Sequence, residues 1–419
     1  MHPFSTTFIF PIGETLGGAN IWSARMCGHL EQRGLATAAV MHANPGWHPD
    51  KTLPIPAGTR RLTCGGPSVI EARRRHVRAF ASVYEQTLPA VFVPNFHDVT
   101  YAVCAELSRR RPADVRVIGV AHGNNDAYFG TLVKYETILH GIIAVSEEIA
   151  AELRRRLPHR AADIHTRACP VDVPTEWSRT SRESGAPIVL TYAGRITNHE
   201  KNVSQLVPLM IELDRLGVDF RFRIIGEGGY LPTLKWELSQ LPEALRARAS
   251  LEGLYEPDVM PSLWRDSDLC LLVSTSEGTS ISMLEAMAQG CVPMVTRVSG
   301  TAAVITEGVN GYAVDVGDWP AMARHIKLMA DEPSVWARAS RAAHETASER
   351  YRYPDYVDWF VGLCAQWQAA APRPWPRERA VLEQPWRWPQ WMRNVGQRIK
   401  VRWDGWHAMM DSRGRKKLP

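Results

Sequence analysis

Residues 268–296 read DLCLLVSTSEGTSISMLEAMAQGCVPMVT. Leu269–Val273 is an apolar run of strand length, the kind a parallel sheet buries on both faces. The polar segment 274–280 follows. From Ile281 to Gln289 the apolar residues Ile281, Leu284 and Ala288 recur at helical spacing, and Gly290 supplies a stop. Val292–Val295 is a second strand. The order strand, loop, helix, strand puts the loop at the carboxyl end of its strand, where open parallel sheets hold their ligands. Glu277 and Glu285 bracket this loop and the start of the helix. Between them the backbone N–H groups of Gly278, Thr279, Ser280 and Ile281 lie at a helix amino end, a setting that favours an anion such as a phosphate. Ser282-Met-Leu-Glu285 also fits a capping box, which would give Glu285 a purely structural task.

Outward from this stretch, both halves of the chain alternate short apolar runs with helical segments, the pattern of a doubly wound parallel sheet. In the first half, strands are expected at 7–11, 37–41, 90–94, 115–120 and 142–145, with helices at about 21–33 and 149–157. The first strand leads into GETLGGAN at 13–20, where Gly17 and Gly18 allow a phosphate to approach the backbone. His97 and His122 fall at the ends of strands, with Asn124 and Asp126 just beyond the second. The polar, aperiodic stretch 174–187 reads as a linker. The second half restarts with a strand at 188–193, then GRITNHEKN at 194–202, in which Arg195 and Lys201 flank one turn. Two cations there can neutralise a diphosphate as it leaves. Strands at 220–225 and 249–253, helices over 320–350 and an aromatic-rich helix at 351–368 complete the half.

Taken together, these elements resemble the retaining GT-B glycosyltransferases of the Glu-x7-Glu type, the glycosyltransferase family 4-like group 1 enzymes. The resemblance covers about residues 7–370. It implies an α/β chain of GT-B architecture, with two doubly wound Rossmann-like parallel-sheet domains facing a cleft. The expected division is an acceptor domain at 1–173, a linker at 174–187, a nucleotide-sugar domain at 188–350, a helix at 351–370 crossing back to the first domain, and a tail at 371–419. By resemblance, Glu277 lies by the donor sugar with His122, and Glu285 binds the ribose hydroxyls. Arg195, Lys201, the Gly17-Gly18 pair and the amides from Gly278 to Ile281 hold the diphosphate, and the backbone at Leu254 meets the base. His97, Asn124 and Asp126 line the acceptor side. Where the family usually has Asn-Gly-Val-Asp, this chain has Cys169-Pro-Val-Asp172, which implies altered backbone geometry there.

The bulk properties agree with an enzyme of this size. A chain of 419 residues can build two domains with separate cores. No stretch of eighteen apolar residues predicts a membrane span, and residues 1–12 do not read as a secretory signal. Seven scattered cysteines without a Cys-x-x-Cys pair point to a reducing compartment and away from zinc. Two cations can do a divalent ion's work, so the expectation is a metal-independent reaction with no cofactor beyond the nucleotide-sugar co-substrate. The expected location is cytoplasmic, at the membrane's inner face if the tail binds lipid.

That tail is different material. From residue 371 it carries nine Arg and three Lys against four acidic residues, a net +8 in a chain whose total is +5, so the body is slightly acidic. Six of the fifteen Trp are interleaved with these charges. Trp beside Arg and Lys suits an anionic lipid surface. Basic aromatic segments also bind single-stranded nucleic acid, and Trp rings can simply pack on the enzyme body. Lipid-linked acceptors are common in the resembled family, which favours the membrane over nucleic acid. The function implied is transfer of a sugar from a nucleotide-diphosphate sugar to a hydroxyl of a glycan or lipid-linked acceptor, with retention, in cell-surface polysaccharide synthesis. The alternatives are an epimerase or phosphorylase on the same fold, or a non-catalytic scaffold.

Overall fold

The computed structural model describes residues 4–43, 53–176, 179, 181–182 and 185–376. Most of the basic Trp-rich tail, 377–419, therefore lies outside the described residues. Among those described, the strands form two sheets. The first contains β1 (Ser5–Phe10), β2 (Thr37–His42), β3 (Arg60–Cys64), β4 (Ala90–Val93), β5 (Val115–Ala121), β6 (Gly141–Ala144) and β7 (Ile164–Thr166) in the order β3-β2-β1-β4-β5-β6-β7. The second contains β8 (Ile188–Ala193), β9 (Phe220–Ile225), β10 (Ala249–Gly253), β11 (Leu269–Leu272), β12 (Val292–Thr296) and β13 (Tyr312–Val314) in the order β10-β9-β8-β11-β12-β13. Every pairing between these strands is parallel, with Phe8 opposite both Ala39 and Val93 at the centre of the first sheet.

Parallel neighbours need crossovers, and helices supply them. Those of the first domain are α1 (Gly18–Glu31), α2 (Arg74–Tyr84), α3 (Asp98–Arg110), α4 (Asp126–Lys134) and α5 (Glu147–Arg156). The second has α6 (Leu206–Arg215), α7 (Leu231–Ser239), α8 (Glu243–Arg246), α9 (Met260–Arg265), α10 (Ile281–Ala288), α11 (Trp319–Asp331) and α12 (Pro333–Arg350), before α13 (Tyr353–Ala369). The strand order reverses between β1 and β4 in one sheet and between β8 and β11 in the other. These are the topological switch points, the crevices where such sheets bind ligands.

Helix α13 follows the second domain but packs on the first. Phe360 stacks on Phe8 at 6.4 Å, and Tyr356 meets Trp22 edge-on at 6.3 Å. Tyr353, Tyr356, Val357, Phe360 and Trp367 are all buried in the first domain's core. At about 1.5–3 kcal/mol for each large apolar side chain, this contact firmly joins the end of the chain to the first domain. The helix is closed off by Arg116 of β5, which is buried and donates to the carbonyls of Trp367 (2.8 Å), Gln368 (3.2 Å) and Ala370 (2.9 Å). Beyond it, Arg373 pairs with Asp163 at 3.6 Å and Trp375 packs against Tyr135 at 5.7 Å. Of the readings given for the tail's tryptophans, Trp375 follows packing on the enzyme body. The seven cysteines are free and buried.

Two local expectations are corrected. The cap of α10 is Ser280, whose Oγ accepts from the Met283 N–H at 3.4 Å, so Ser282 and Glu285 do not form the capping box. Helix α1 begins at Gly18, a turn's length before the expected start, and absorbs part of the glycine-rich loop.

Candidate active site

The two switch points face each other. Gly278, just past β11, lies against the chain at the end of β5 so closely that a Cβ on it would fall 2.0 Å from the carbonyl oxygen of His122. Thr279 donates its hydroxyl to the carbonyl of Val145 at 2.7 Å, which ties the same loop to the end of β6. Gly300 packs behind, where a Cβ would lie 1.7 Å from the Gly278 oxygen. Small residues at 278 and 300 are thus a steric condition for bringing the domains together here.

At the centre, Lys201 and Glu277 form an ion pair of 2.6 Å. Lys201 comes from the loop after β8 and Glu277 from the loop after β11, the two strands that define the second switch point. Ser274 donates to the same Glu277 oxygen at 2.6 Å, and Ser299 donates to the Glu277 carbonyl at 2.6 Å. The Glu277 side chain is only 8 % exposed, so its charge is held by Lys201 and hydroxyls rather than by water. The companion cation behaves differently. Arg195 is largely exposed and pairs with Glu200 at 2.6 Å, so it does not share a carboxylate with Lys201.

Glu285, the sole charged residue of α10, reaches across to the first domain. Its Oε1 accepts from Arg25 Nη1 at 2.6 Å, and Arg25 also lies 3.6 Å from Asp172. Burial opposes the Arg25 charge, but Glu285, Tyr353 and Asp172 more than offset it and hold its pKa above the ordinary value. Asp172 belongs to the divergent Cys169-Pro-Val-Asp172 element. Its neighbour Val171 donates to the Tyr351 carbonyl at 2.7 Å, and Asp172 itself pairs with His29 at 3.2 Å.

Gly17 precedes α1 in an extended conformation, and a Cβ there would meet nothing within 4 Å. A Cβ on Gly18 would lie 3.5 Å from the side chain of Ile281 at the head of α10. The amino ends of α1 and α10 therefore adjoin, one from each domain. Leu254 sits half-buried just past β10.

On the opposite wall, His122 ends β5 half-buried, its ring edge-on to Trp22 at 5.2 Å. Burial pushes its pKa down to about 3. His97 caps α3 with left-handed backbone (φ 73°), and burial lowers its pKa as well. Asn124 and Asp126 are exposed at the rim, and Arg156 holds Asp126 at 2.7 Å. The structure thus joins Lys201 with Glu277, Gly278 with His122 and Gly18 with Ile281, leaves Arg195 and Asp126 paired elsewhere, and places His97 at the start of α3.

Sequence reading passed over Arg25, Ser274 and Asn95. An arginine within a helix reads as solvated, and its partner is 260 residues away. Ser274 and Asn95 do stand at strand ends, which is the one signal that pointed to them.

Comparison with known proteins places this geometry. Residues 187–332 match the family model described as glycosyl transferases group 1. Alpha-D-kanosaminyltransferase of Streptomyces kanamyceticus is 28 % identical over 232 residues, covering 53 % of this chain and 59 % of the relative. N-acetyl-alpha-D-glucosaminyl L-malate synthase of Bacillus anthracis is 24 % identical over 277 residues, covering 62 % and 71 %. The chain thus aligns with about three-fifths to seven-tenths of these relatives' lengths. Among solved structures, a mutant of S. aureus TarM, in complex with fondaparinux, alpha-GlcNAc-glycerol and UDP, superposes with a TM-score of 0.71 at 10 % identity. That match covers 88 % of this chain and 100 % of the other. The fold is the GT-B architecture.

Proposed function

We propose that the protein is a retaining glycosyltransferase that takes a sugar from a nucleotide-diphosphate donor and gives it to a hydroxyl of a glycan or lipid-linked acceptor. The observation that carries this reading is the buried Lys201–Glu277 pair at 2.6 Å, set at a switch point with His122 across the domain boundary. In this account the diphosphate lies at the adjoining amino ends of α1 and α10, where unpaired N–H groups and helix dipoles favour an anion. Lys201 adds a fixed positive charge that stabilises the leaving diphosphate as its bond to the sugar breaks. Arg195 would have to turn from Glu200 to join it. Glu277 and His122 position the sugar, Glu285 takes ribose hydroxyls with its second oxygen, and Leu254 borders the base. The charge on the leaving group is met by protein cations and amides, so the reaction needs no metal. His97, Asn124 and Asp126 are assigned to the acceptor side.

Retention is supported by the names of the two relatives, both of which specify an alpha linkage, the outcome of retention from an alpha-linked nucleotide sugar. A panel of such donors with alcohol acceptors tests both points. Nucleoside diphosphate released with an alpha-linked product is expected. A beta-linked product would exclude retention, and no release with any donor would overturn the transferase reading.

The tail is assigned to an anionic membrane surface that presents a lipid-linked acceptor, which makes the enzyme peripheral on the cytoplasmic side. Removal of 377–419 should abolish binding to anionic liposomes. Binding that persists would locate the membrane contact elsewhere.

A further inference from the structure

Asn95 ends β4 in left-handed backbone (φ 60°), a conformation asparagine tolerates better than most residues. It is fully buried. Its Nδ2 donates to the carbonyl of Ile9 at 2.7 Å and to the hydroxyl oxygen of Ser23 at 2.9 Å. A carbonyl can only accept, so the amide cannot be turned round. The Ser23 hydroxyl gives its own proton to the Ala19 carbonyl at 2.9 Å and keeps a lone pair for Nδ2. Oδ1 of Asn95 is then directed at His122 Nε2, 3.1 Å away.

The chemistry of the histidine follows. Oδ1 carries no proton, so this hydrogen bond exists only when Nε2 does. In the neutral ring the other nitrogen, Nδ1, then bears a lone pair. Burial keeps the ring neutral through the physiological range. Trp22 at 5.2 Å and Tyr128 at 6.3 Å, both edge-on, fix its plane. His122 as a whole is half-buried, so the ring is not enclosed on every side.

We propose that Asn95 is a positioning residue that locks His122 in the Nε2–H tautomer, so that Nδ1 offers an acceptor to a hydroxyl or amide N–H of the transferred sugar. A donor whose group at that point can only accept, such as a carboxylate, is disfavoured. The specificity part rests on the reading of His122 as sugar-facing; the tautomer part stands on the hydrogen bonds alone.

The test begins with a measurement that needs no activity. A long-range proton–nitrogen correlation spectrum of the full chain, labelled with 15N-histidine, reports the tautomer, and His122→Gln identifies the signal. A protonated Nε2 with a bare Nδ1 is expected, and the reverse pattern would overturn the lock. Asn95→Ala should mix the tautomers; an unchanged pattern would remove Asn95 from the role. If that variant does not fold, Asn95→Gly, which suits the positive φ, removes the same acceptor and should likewise mix the tautomers. A wild-type pattern from Asn95→Gly would equally overturn the proposal. In turnover, Asn95→Ala should lower kcat about tenfold, the worth of one hydrogen bond, with nucleoside diphosphate affinity unchanged. Equal loss of nucleotide affinity would mark a merely structural role. If no nucleotide sugar turns over while the expected tautomer is seen, the transferase reading fails and the lock stands.

Discussion

Arg25 and Glu285 meet across the domain boundary with Nη1 and Oε1 2.6 Å apart, and both side chains are largely buried, at 11 % and 17 % exposure. Each lies within its helix, α1 or α10, a turn or two from the amino end, and those ends touch through Gly18 and Ile281. One pair of helices thus carries both the anion-favouring ends and the ion pair that holds the domains in register. Arg25 occupies one oxygen of Glu285, so a ribose bound as proposed would have only the other to meet.

Replacing one partner leaves a charge behind in a site with little water. Arg25→Leu should lower stability by about 3 kcal/mol, as broken buried pairs do, and Arg25→Leu with Glu285→Leu should recover much of that loss. Thermal unfolding of the two variants checks this. A single variant as stable as wild type would mean the pair contributes nothing to domain registry.

The glycines separate packing from ligand approach. Gly278→Ala puts a Cβ 2.0 Å from the His122 oxygen, so the loops must part, at a cost of about 1–3 kcal/mol. Gly17→Ala meets nothing within 4 Å and needs no unusual backbone, so its melting temperature should match wild type. Nucleoside diphosphate affinity should nonetheless fall in Gly17→Ala if the backbone there faces the diphosphate. Unchanged affinity would remove Gly17 from the donor site.

Much of the fold was legible because most of its strands carry apolar residues in short runs or in alternation, bounded by turn residues. The runs at 188–193, 220–225 and 249–253 match β8, β9 and β10 residue for residue. Strand β3, Arg60–Cys64, was not legible, since four of its five residues are not buried and it borders the sheet without an apolar run. The elements of the candidate site were readable where a residue type and a strand end coincide, as at Glu277, Lys201 and His122. What joins them was not. Arg25 finds Glu285, and Asn95 finds His122, through folded proximity that no local spacing encodes.

Three histidines of the first domain, the buried His42 and His140 and the half-buried His122, should make the protein acid-sensitive. Burial pushes their pKa values down to about 4, about 3 and about 4. In the unfolded chain each takes a proton near pH 6.5, while the folded state does not until its lowered value is reached. The unfolded state therefore binds more protons in that window. Stability should fall as pH drops from about 6.5 toward 4, by about 1.4 kcal/mol per pH unit for each histidine. His140→Asn retains an acceptor where Nδ1 takes the Val117 N–H at 3.2 Å, and should remove one histidine's share of that slope. Identical slopes in wild type and variant between pH 6.5 and 4 would contradict the assignment.

The central claim is that Lys201 beside Glu277 marks a nucleotide-sugar site, and nucleotide binding tests it most directly. A thermal-shift screen of UDP, GDP, ADP and TDP with their sugars, run on wild type and Lys201→Ala, is the measurement. A ligand that binds the native state raises the melting temperature by mass action. The account predicts that one nucleotide shifts the wild type strongly and that Lys201→Ala, though folded, loses that shift. A shift that survives intact in Lys201→Ala, or a wild type that responds to none of the nucleotides, would contradict it.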